Sequence, residues 1–281
     1  MDTISTWQLG ATELLRVPYF DIALSPESLS ITAADVAASG TAGPPWTNAA
    51  GGVAVGQSFW VIRSAGTTII VDPCGASDAF LRSGPEALRH QEAALAALTA
   101  AGISPATVDL VVLTHLDGIG MAAIVDDEGG WSPAFPNATL VVTAAERAHI
   151  HDHVNDISGA SAFEELAAAG HVDAVEAPHE LARGITLVPT GGHSPGHAVV
   201  VIGSGRQPDA VLLGHLALNP VHLDAPCEGL HDDAATATDV VSGWLDHSAE
   251  HGTILAGALW PAPGAARVIQ RHPLRLEPVA G

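Results

Sequence analysis

Three apolar, strand-like runs of this sequence each lead into a short polar segment that contains histidine. In chain order these segments read His-Leu-Asp-Gly, Thr-Gly-Gly-His-Ser-Pro-Gly-His and Gly-His. The runs and the first histidine after each are Val108–Thr114 with His115, Ile185–Pro189 with His193, and Ala210–Gly214 with His215. Because functional residues are often held on loops by a rigid scaffold, this pattern predicts a site at the strand ends.

The other apolar runs predict an α+β fold in which two sheets are sandwiched by helices. Further strands are predicted at Phe59–Ser64, Thr67–Asp72, Ala138–Thr143, Ala198–Gly203 and Thr253–Gly257. Helices are predicted between the Ser83–Glu86 capping-box pattern and Gly102, over residues 144–153, and after Asp232 or Asp233. The first two strands flank Ala65-Gly66, which indicates a hairpin.

The charge of the chain argues against two classes of partner. The formal net charge is −21, and all ten basic residues are arginine. Such a surface repels the phosphates of nucleic acids and of anionic membranes. Cys74 and Cys227 allow at most one disulfide, and residues 1–9 do not read as a signal peptide. We therefore expect a cytoplasmic protein with reduced thiols and a small-molecule substrate.

Together with Ile70–Gly75, the three histidine segments resemble the ordered motifs of the metallo-β-lactamase superfamily. In that family a strand ends in His-x-His-x-Asp-His, and a His-x-Pro-Gly-His turn, a Gly-Asp pair and a late His follow. The segments Gly130–Ala138 and Ala145–His149 are similar to the lactonase and organophosphate-hydrolase branch. The resemblance implies a four-layer αβ/βα sandwich.

The resemblance spans roughly residues 53–270, nearly the whole domain. We therefore predict one domain over residues 1–281, in which residues 53–270 form the core that carries the motifs. Residues 1–52 are expected to be an N-terminal extension and a loop that pack on this core. The turn-rich stretch 36–52 is the expected loop.

In the family, five His and two Asp residues hold two metal ions, usually zinc, and a bridging hydroxide attacks a carbonyl or phosphoryl centre. The first motif of this chain is shorter than the family's, and three registers are possible. In the first, His115 is the first family His, Asp117 is the family Asp, and the second His is deleted. In the second, His115 is the second His and Leu113 replaces the first. In the third, which has no gap, Asp117 replaces the second His, and Ile119-Gly120 replaces the final Asp-His.

Every register loses at least two of the four usual ligands of this motif. In the first two registers Gly118 replaces the last His. Elsewhere, Leu259 occupies the position of the late His, and His215 replaces the bridging Asp. His193 alone keeps its usual place without ambiguity. These losses predict that the family's dinuclear centre is absent.

Four residues remain as the predicted site: His115, Asp117, His193 and His215 are expected to line one cleft. Three imidazoles and a water form the ligand set of a catalytic zinc. His115, His193 and His215 are therefore the ligands if a metal binds, and the expected cofactor is a single zinc ion or none.

Other polar residues of the motifs are assigned supporting or structural roles. We expect His197 to support the ligands and Asp72 to be structural. The run from His149 to His153 imitates a metal motif, but in a helix its neighbouring side chains point in different directions. We interpret this run as a solvated helix face.

Three functions fit these features. The first is a hydrolase of a small neutral ester or lactone that has at most one metal ion. The second is a metal-free lyase, isomerase or cyclase of specialised metabolism that works by His and Asp acid–base chemistry. The third is a non-catalytic protein that binds a small molecule.

Overall fold

The computed structural model of the chain describes residues 4–73, 85–126, 128–203, 207–225 and 229–281. The strands are β1 (Ser5–Leu9), β2 (Thr12–Leu24), β3 (Val53–Ser64), β4 (Thr67–Val71), β5 (Leu110–Val112), β6 (Ala123–Val125), β7 (Trp131–Pro133), β8 (Thr139–Thr143), β9 (Val172–Val175), β10 (His179–Ala182), β11 (Ile185–Pro189), β12 (Ala198–Ile202), β13 (Ala210–Leu212), β14 (Ile254–Ala256), β15 (Ala265–Gln270) and β16 (Arg275–Pro278). The helices are α1 (Ala33–Ala38), α2 (Pro85–Ala100), α3 (Ala144–Asp152), α4 (Ala160–Ala168) and α5 (Ala234–His251).

The strands form two seven-stranded sheets and one two-stranded sheet. The first large sheet has the order β1-β2-β3-β4-β5-β8-β9, and it is antiparallel as far as β4 and parallel beyond it. The second has the order β10-β11-β12-β13-β14-β15-β16, and only its central pair β13 and β14 is parallel. Strands β6 and β7 pair with each other.

Three apolar clusters arrange these elements in four layers. The cluster between the large sheets combines Trp60 and Ile62 of the first sheet with Val200 and Leu212 of the second. A second cluster joins the outer face of the first sheet to α2, α3 and α4. A third joins the outer face of the second sheet to α5. The predicted four-layer αβ/βα sandwich is therefore confirmed.

Helix α5 shows how the sequence produces one of these layers. Ala237, Val241 and Leu245 recur at every fourth position and are buried, so one stripe of the helix packs on the second sheet. The Asp233 side chain accepts a hydrogen bond from the Thr236 N–H at the start of the helix. Gly252 adopts the left-handed conformation at its end. The prediction that Asp232 or Asp233 caps this helix is confirmed for Asp233.

The predicted hairpin, now β3 and β4, is confirmed, as are the predicted helices, which correspond to α2, α3 and α5. The Ser83–Gly84 part of the capping box and both cysteines lie outside the described residues. No helix within the described ranges is long and apolar enough to cross a membrane.

Strands β1 and β2 are not predicted from local sequence patterns, and they fall in the stretch 1–52 that was expected to be an extension and a loop on the core. Their hydrogen bonds instead make them two strands of the first sheet. Strand β2 contains Arg16, a charged residue that sequence patterns assign to the surface. Arg16 is fully buried, and its Nη2 atom donates to the carbonyl of Trp260, 3.1 Å away. That acceptor lies far along the chain, so local patterning does not reveal the strand.

Candidate functional site

The structure brings all four predicted site residues together. Each of His115, Asp117, His193 and His215 offers one possible ligand atom, and these atoms lie within 4.8 Å of one another. His115 follows β5 of the first sheet, whereas His215 follows β13 of the second. His115 and His215 are buried, whereas the Asp117 side chain is 46% exposed. The cluster therefore joins the two sheets and is open to solvent on the side of Asp117.

One oxygen of Asp117 lies against two of the histidines. Oδ2 is 2.8 Å from Nδ1 of His215 and 3.4 Å from Nε2 of His115. Burial raises the pKa of Asp117, but the two imidazoles lower it by more, so that pKa lies well below its usual value. Burial likewise lowers the pKa of His115, yet Asp117 and other nearby carboxylates outweigh it and raise the pKa to about 9. The site therefore places a carboxylate where it stabilises positive charge.

Several ring nitrogens of this cluster lack hydrogen-bond partners. Among the described histidines, the buried ring nitrogens without one are Nε2 of His115, Nε2 of His197 and both ring nitrogens of His215. The close contact of His215 with Asp117 is not aligned as a hydrogen bond. An unsatisfied buried polar atom destabilises a fold by roughly 1–3 kcal/mol, so such atoms are usually explained by a water or an ion. Imidazole nitrogens and one carboxylate form a donor set that fits a divalent cation.

The backbone around His115 is held by Asp72 at the end of β4. Asp72 has a φ of 44°, and its carboxylate accepts hydrogen bonds from the N–H and the hydroxyl of Thr114, at 2.8 and 2.7 Å. The Thr114 hydroxyl also lies 3.1 Å from Nδ1 of His115. This contact occupies one ring nitrogen of His115 and leaves Nε2 for the cluster. Asp72 contacts the backbone and Thr114 rather than the cluster, as its expected structural role requires.

No protein-family model and no curated protein sequence matches the chain. Solved structures do match it over nearly its full length. AbOPH, a hydrolase of the β-lactamase superfamily, is 16% identical, with a TM-score of 0.73 over 99% of this chain and 98% of its own. AidC, a dizinc quorum-quenching lactonase, is 18% identical, with a TM-score of 0.70 over the same shares of the two chains. The chain has the metallo-β-lactamase fold. A probable metal-dependent hydrolase from Staphylococcus aureus shares this fold at 17% identity, with a TM-score of 0.65 over 93% of this chain and 94% of its own.

Two residues that the resemblance places at family ligand positions, Ile119 and Leu259, have no ligand atom and lie in apolar surroundings. Ile119 is fully buried in the apolar cluster on the outer face of the first sheet. Leu259 packs against an apolar cluster that includes Val53 and Val221. Across the described residues, His115, Asp117, His193 and His215 form the one group of three or more possible ligands. The chain after Asp117 therefore turns away from the cluster instead of adding ligands to it.

His197, the second histidine of the Ser-Pro-Gly turn, lies beside the cluster of this metallo-β-lactamase fold but is not part of it. Its Nδ1 is 2.8 Å from the hydroxyl of Thr190, and its ring is fully buried. Burial and the neighbouring histidines place its pKa well below the usual value. Gly214 adopts a φ of 57°, and a Cβ there would lie 2.7 Å from Nε2 of His197 and 2.5 Å from the Thr114 hydroxyl. The residue before His215 must therefore be glycine.

His231, which the sequence motifs do not predict, contacts the cluster. Its Nδ1 lies 3.3 Å from Nδ1 of His193, so one of these two nitrogens donates to the other. Burial, with smaller contributions from nearby histidines, lowers the pKa of His231 to about 4 and that of His193 to about 2. His231 belongs to none of the family motifs, and its sequence signal is its place two residues before Asp233, the capping residue of α5. The contact leaves Nε2 as the ring nitrogen of His193 that is free for the cluster.

A cavity of about 310 Å³ lies on the side of His231. Its wall includes Leu216, which directly follows His215, and Leu223, Val241 and Leu245. Polar groups in the wall bond to protein: the Thr238 hydroxyl donates to the Ala234 carbonyl, and Arg271 binds Asp246 and Ser242. The cavity therefore lies next to the histidine cluster and presents both apolar and polar groups in its wall.

Proposed function

We propose that this chain is a hydrolase of small neutral esters or lactones that uses one metal ion. His115, His193 and His215 would hold the ion, and Asp117 would supply the one negative charge at the centre. The observation that carries the proposal is the convergence of four possible ligand atoms within 4.8 Å. The ring nitrogens of His115 and His215 that make no aligned hydrogen bond support it, because a cation would satisfy them. The loss of the second set of ligands argues for one ion rather than two.

A bound divalent cation would lower the pKa of a water molecule at the site and polarise the carbonyl of the substrate. The chain itself contributes orientation and charge. The Thr114 hydroxyl and His231 each occupy Nδ1 of a histidine, so that His115 and His193 present Nε2. Asp117, whose pKa lies well below its usual value, would stay charged and balance the positive charge of the ion.

The substrate class rests on charge and on shape. A net charge of −21 disfavours polyanionic substrates, which supports a neutral one. The cavity beside His231 would accommodate an apolar substituent. AidC, which shares the fold, was solved with the product N-hexanoyl-L-homoserine. We further propose that residues 1–281 form one domain, that the enzyme is cytoplasmic and that nucleic acids are not its partners.

Metal content and activity test this proposal together. Protein purified without chelators is analysed for metal per chain and assayed on neutral lactones and aryl esters. We expect one zinc ion per chain in the wild type. Its activity should be lost when a chelator removes the metal and should return when zinc is added. The His193→Ala variant should lose both the metal and the activity. His149→Ala, at a half-buried position of helix α3 outside the cluster, serves as the matched control. Two tightly bound ions per chain would contradict the single-metal centre, and a metal-bound protein inactive on every substrate would favour a binding function.

Metal-free acid–base catalysis is the second candidate, and the contact between Asp117 and His115 favours it. A histidine whose pKa is about 9 stays protonated at neutral pH and can donate a proton to a substrate. The same assay separates the two candidates. Activity that persists after complete removal of metal would exclude the single-metal mechanism and support acid–base catalysis by the histidines and Asp117.

A further inference from the structure

Glu146 has a fully buried carboxylate and is not one of the candidate site residues. It lies in the first turn of α3, where its own N–H donates to the Thr143 hydroxyl. No basic side chain in the described part of the chain pairs with it, whereas the adjacent Arg147 pairs with Glu164. Burial of a carboxylate is costly unless its oxygens accept hydrogen bonds, so the partners of Glu146 show what the residue does.

The two oxygens of Glu146 hold two different loops. Oε1 accepts a hydrogen bond of 2.9 Å from the N–H of Leu116, which stands between His115 and Asp117. Oε2 accepts one of 2.6 Å from the hydroxyl of Ser194, which follows His193. One side chain from the outer helix layer therefore joins the loop after β5 to the turn between β11 and β12.

The contact between helix α3 and the Ser-Pro-Gly turn is close. A Cβ at Gly196 would lie 2.0 Å from the backbone nitrogen of Glu146, so only glycine allows this approach. The Thr143 hydroxyl donates to the Gly196 carbonyl at 2.7 Å. The start of α3 is thus fixed against the turn that carries His193. Since the first loop comes from one sheet and the turn from the other, their relative position depends on such links.

We propose that Glu146 positions His115 and Asp117 relative to His193, and that the affinity of the centre for metal depends on this link although Glu146 supplies no ligand atom. The inference rests on the proposed single-metal centre. Residues that orient ligands typically change metal affinity by roughly 10–100-fold when they are removed. A merely structural role would lower thermal stability and leave the metal affinity of the folded protein unchanged.

The test compares zinc affinities, measured by competition with a chelator, in four variants of the full chain. Ser194→Ala and Glu146→Ala break the link, and we expect each to bind zinc about 10–100-fold more weakly than the wild type. Ser194→Thr keeps the hydroxyl and should restore the affinity. Asp109→Asn is the control, because Asp109 accepts from the Thr68 N–H at the opposite end of β5.

If Glu146→Ala does not fold, the milder variant Ser194→Ala still tests the inference. Wild-type affinity in folded Ser194→Ala would overturn the inference. If the wild type itself binds no zinc, the proposed metal centre fails, and the link is then tested without metal by the ¹⁵N resonances of the His115 and His193 rings. Altered resonances in Ser194→Ala, with none altered in Asp109→Asn, would support the positioning role, and unchanged resonances would overturn it.

Discussion

Nδ1 of His215 lies 2.8 Å from Oδ2 of Asp117, although the two residues follow strands of different sheets. In the two gapped registers of the first motif, Asp117 corresponds to the family's Asp. In the ungapped register it takes the place of the second His. The next family ligand position is Gly118 in the two gapped registers and Ile119 in the ungapped one, and Ile119 is buried in apolar surroundings. Asp117 is therefore the last polar group that this loop brings to the cluster.

Replacement of Asp117 by Asn should weaken zinc binding at least about tenfold, because the centre then has only neutral ligands around a dication. Chelator competition measures the change. Asp239→Asn, on the exposed face of α5, makes the same change in net charge away from the site and should bind zinc as the wild type does. Equal affinities for Asp117→Asn and the control would show that the carboxylate is not part of the metal centre.

Replacement of His231 by Phe should weaken zinc binding by roughly 10–100-fold, because the variant keeps a ring but loses the nitrogen that holds Nδ1 of His193. The ¹⁵N resonances of His193 should shift in the same variant. His251→Phe, at the exposed end of α5, is the control. If zinc affinity and the His193 resonances both stay unchanged, the contact of 3.3 Å has no orienting role.

Thr238→Phe should fill part of the cavity beside His231. We expect kcat/KM to fall about tenfold or more for substrates with a long apolar substituent and to change little for short ones. Zinc affinity should stay at the wild-type value, since Thr238 lies outside the cluster. Thr238→Ser, which adds no volume, is the matched control. An equal loss for long and short substrates would indicate that the cavity does not bind the substituent.

His222 should make the fold less stable in mild acid. Its Nε2–H donates to the Leu29 carbonyl and its Nδ1 accepts from the Asn219 N–H, and burial lowers its pKa from 6.5. The unfolded chain therefore takes up a proton below pH 6.5 while the folded chain does not. This contribution to stability is complete above pH 6.5 and is lost as the pH falls towards the lower folded pKa, by at most about 1.4 kcal/mol per pH unit.

Chemical denaturation at pH 5 to 7 tests this expectation. The free energy of unfolding of His222→Gln should fall less steeply with acid than that of the wild type, because glutamine does not titrate. His272→Gln, at an exposed position, should follow the wild-type curve. Parallel curves for His222→Gln and the wild type would assign the acid sensitivity to other groups.

Much of the fold was predictable because its signals are local. The hairpin of β3 and β4 and the stripe of apolar residues on α5 each follow from spacing within a few residues. Strand β2 was not predictable in this way, since the burial of Arg16 depends on a carbonyl that lies 244 residues further along the chain. Local periodicity reports which face of an element is apolar, but not whether distant atoms make a charged position tolerable.

The sequence by itself determined which ligand types the chain can offer: histidines at three strand ends, and apolar residues at Ile119 and Leu259. The tertiary structure decided which atoms meet. Asp117 touches two histidines, His231 reaches His193 across 38 positions, and Glu146 joins loops 30 and 48 positions away. Residue types are fixed by the sequence, but distances between them depend on how the two sheets pack, and that packing is a cooperative property of the whole core.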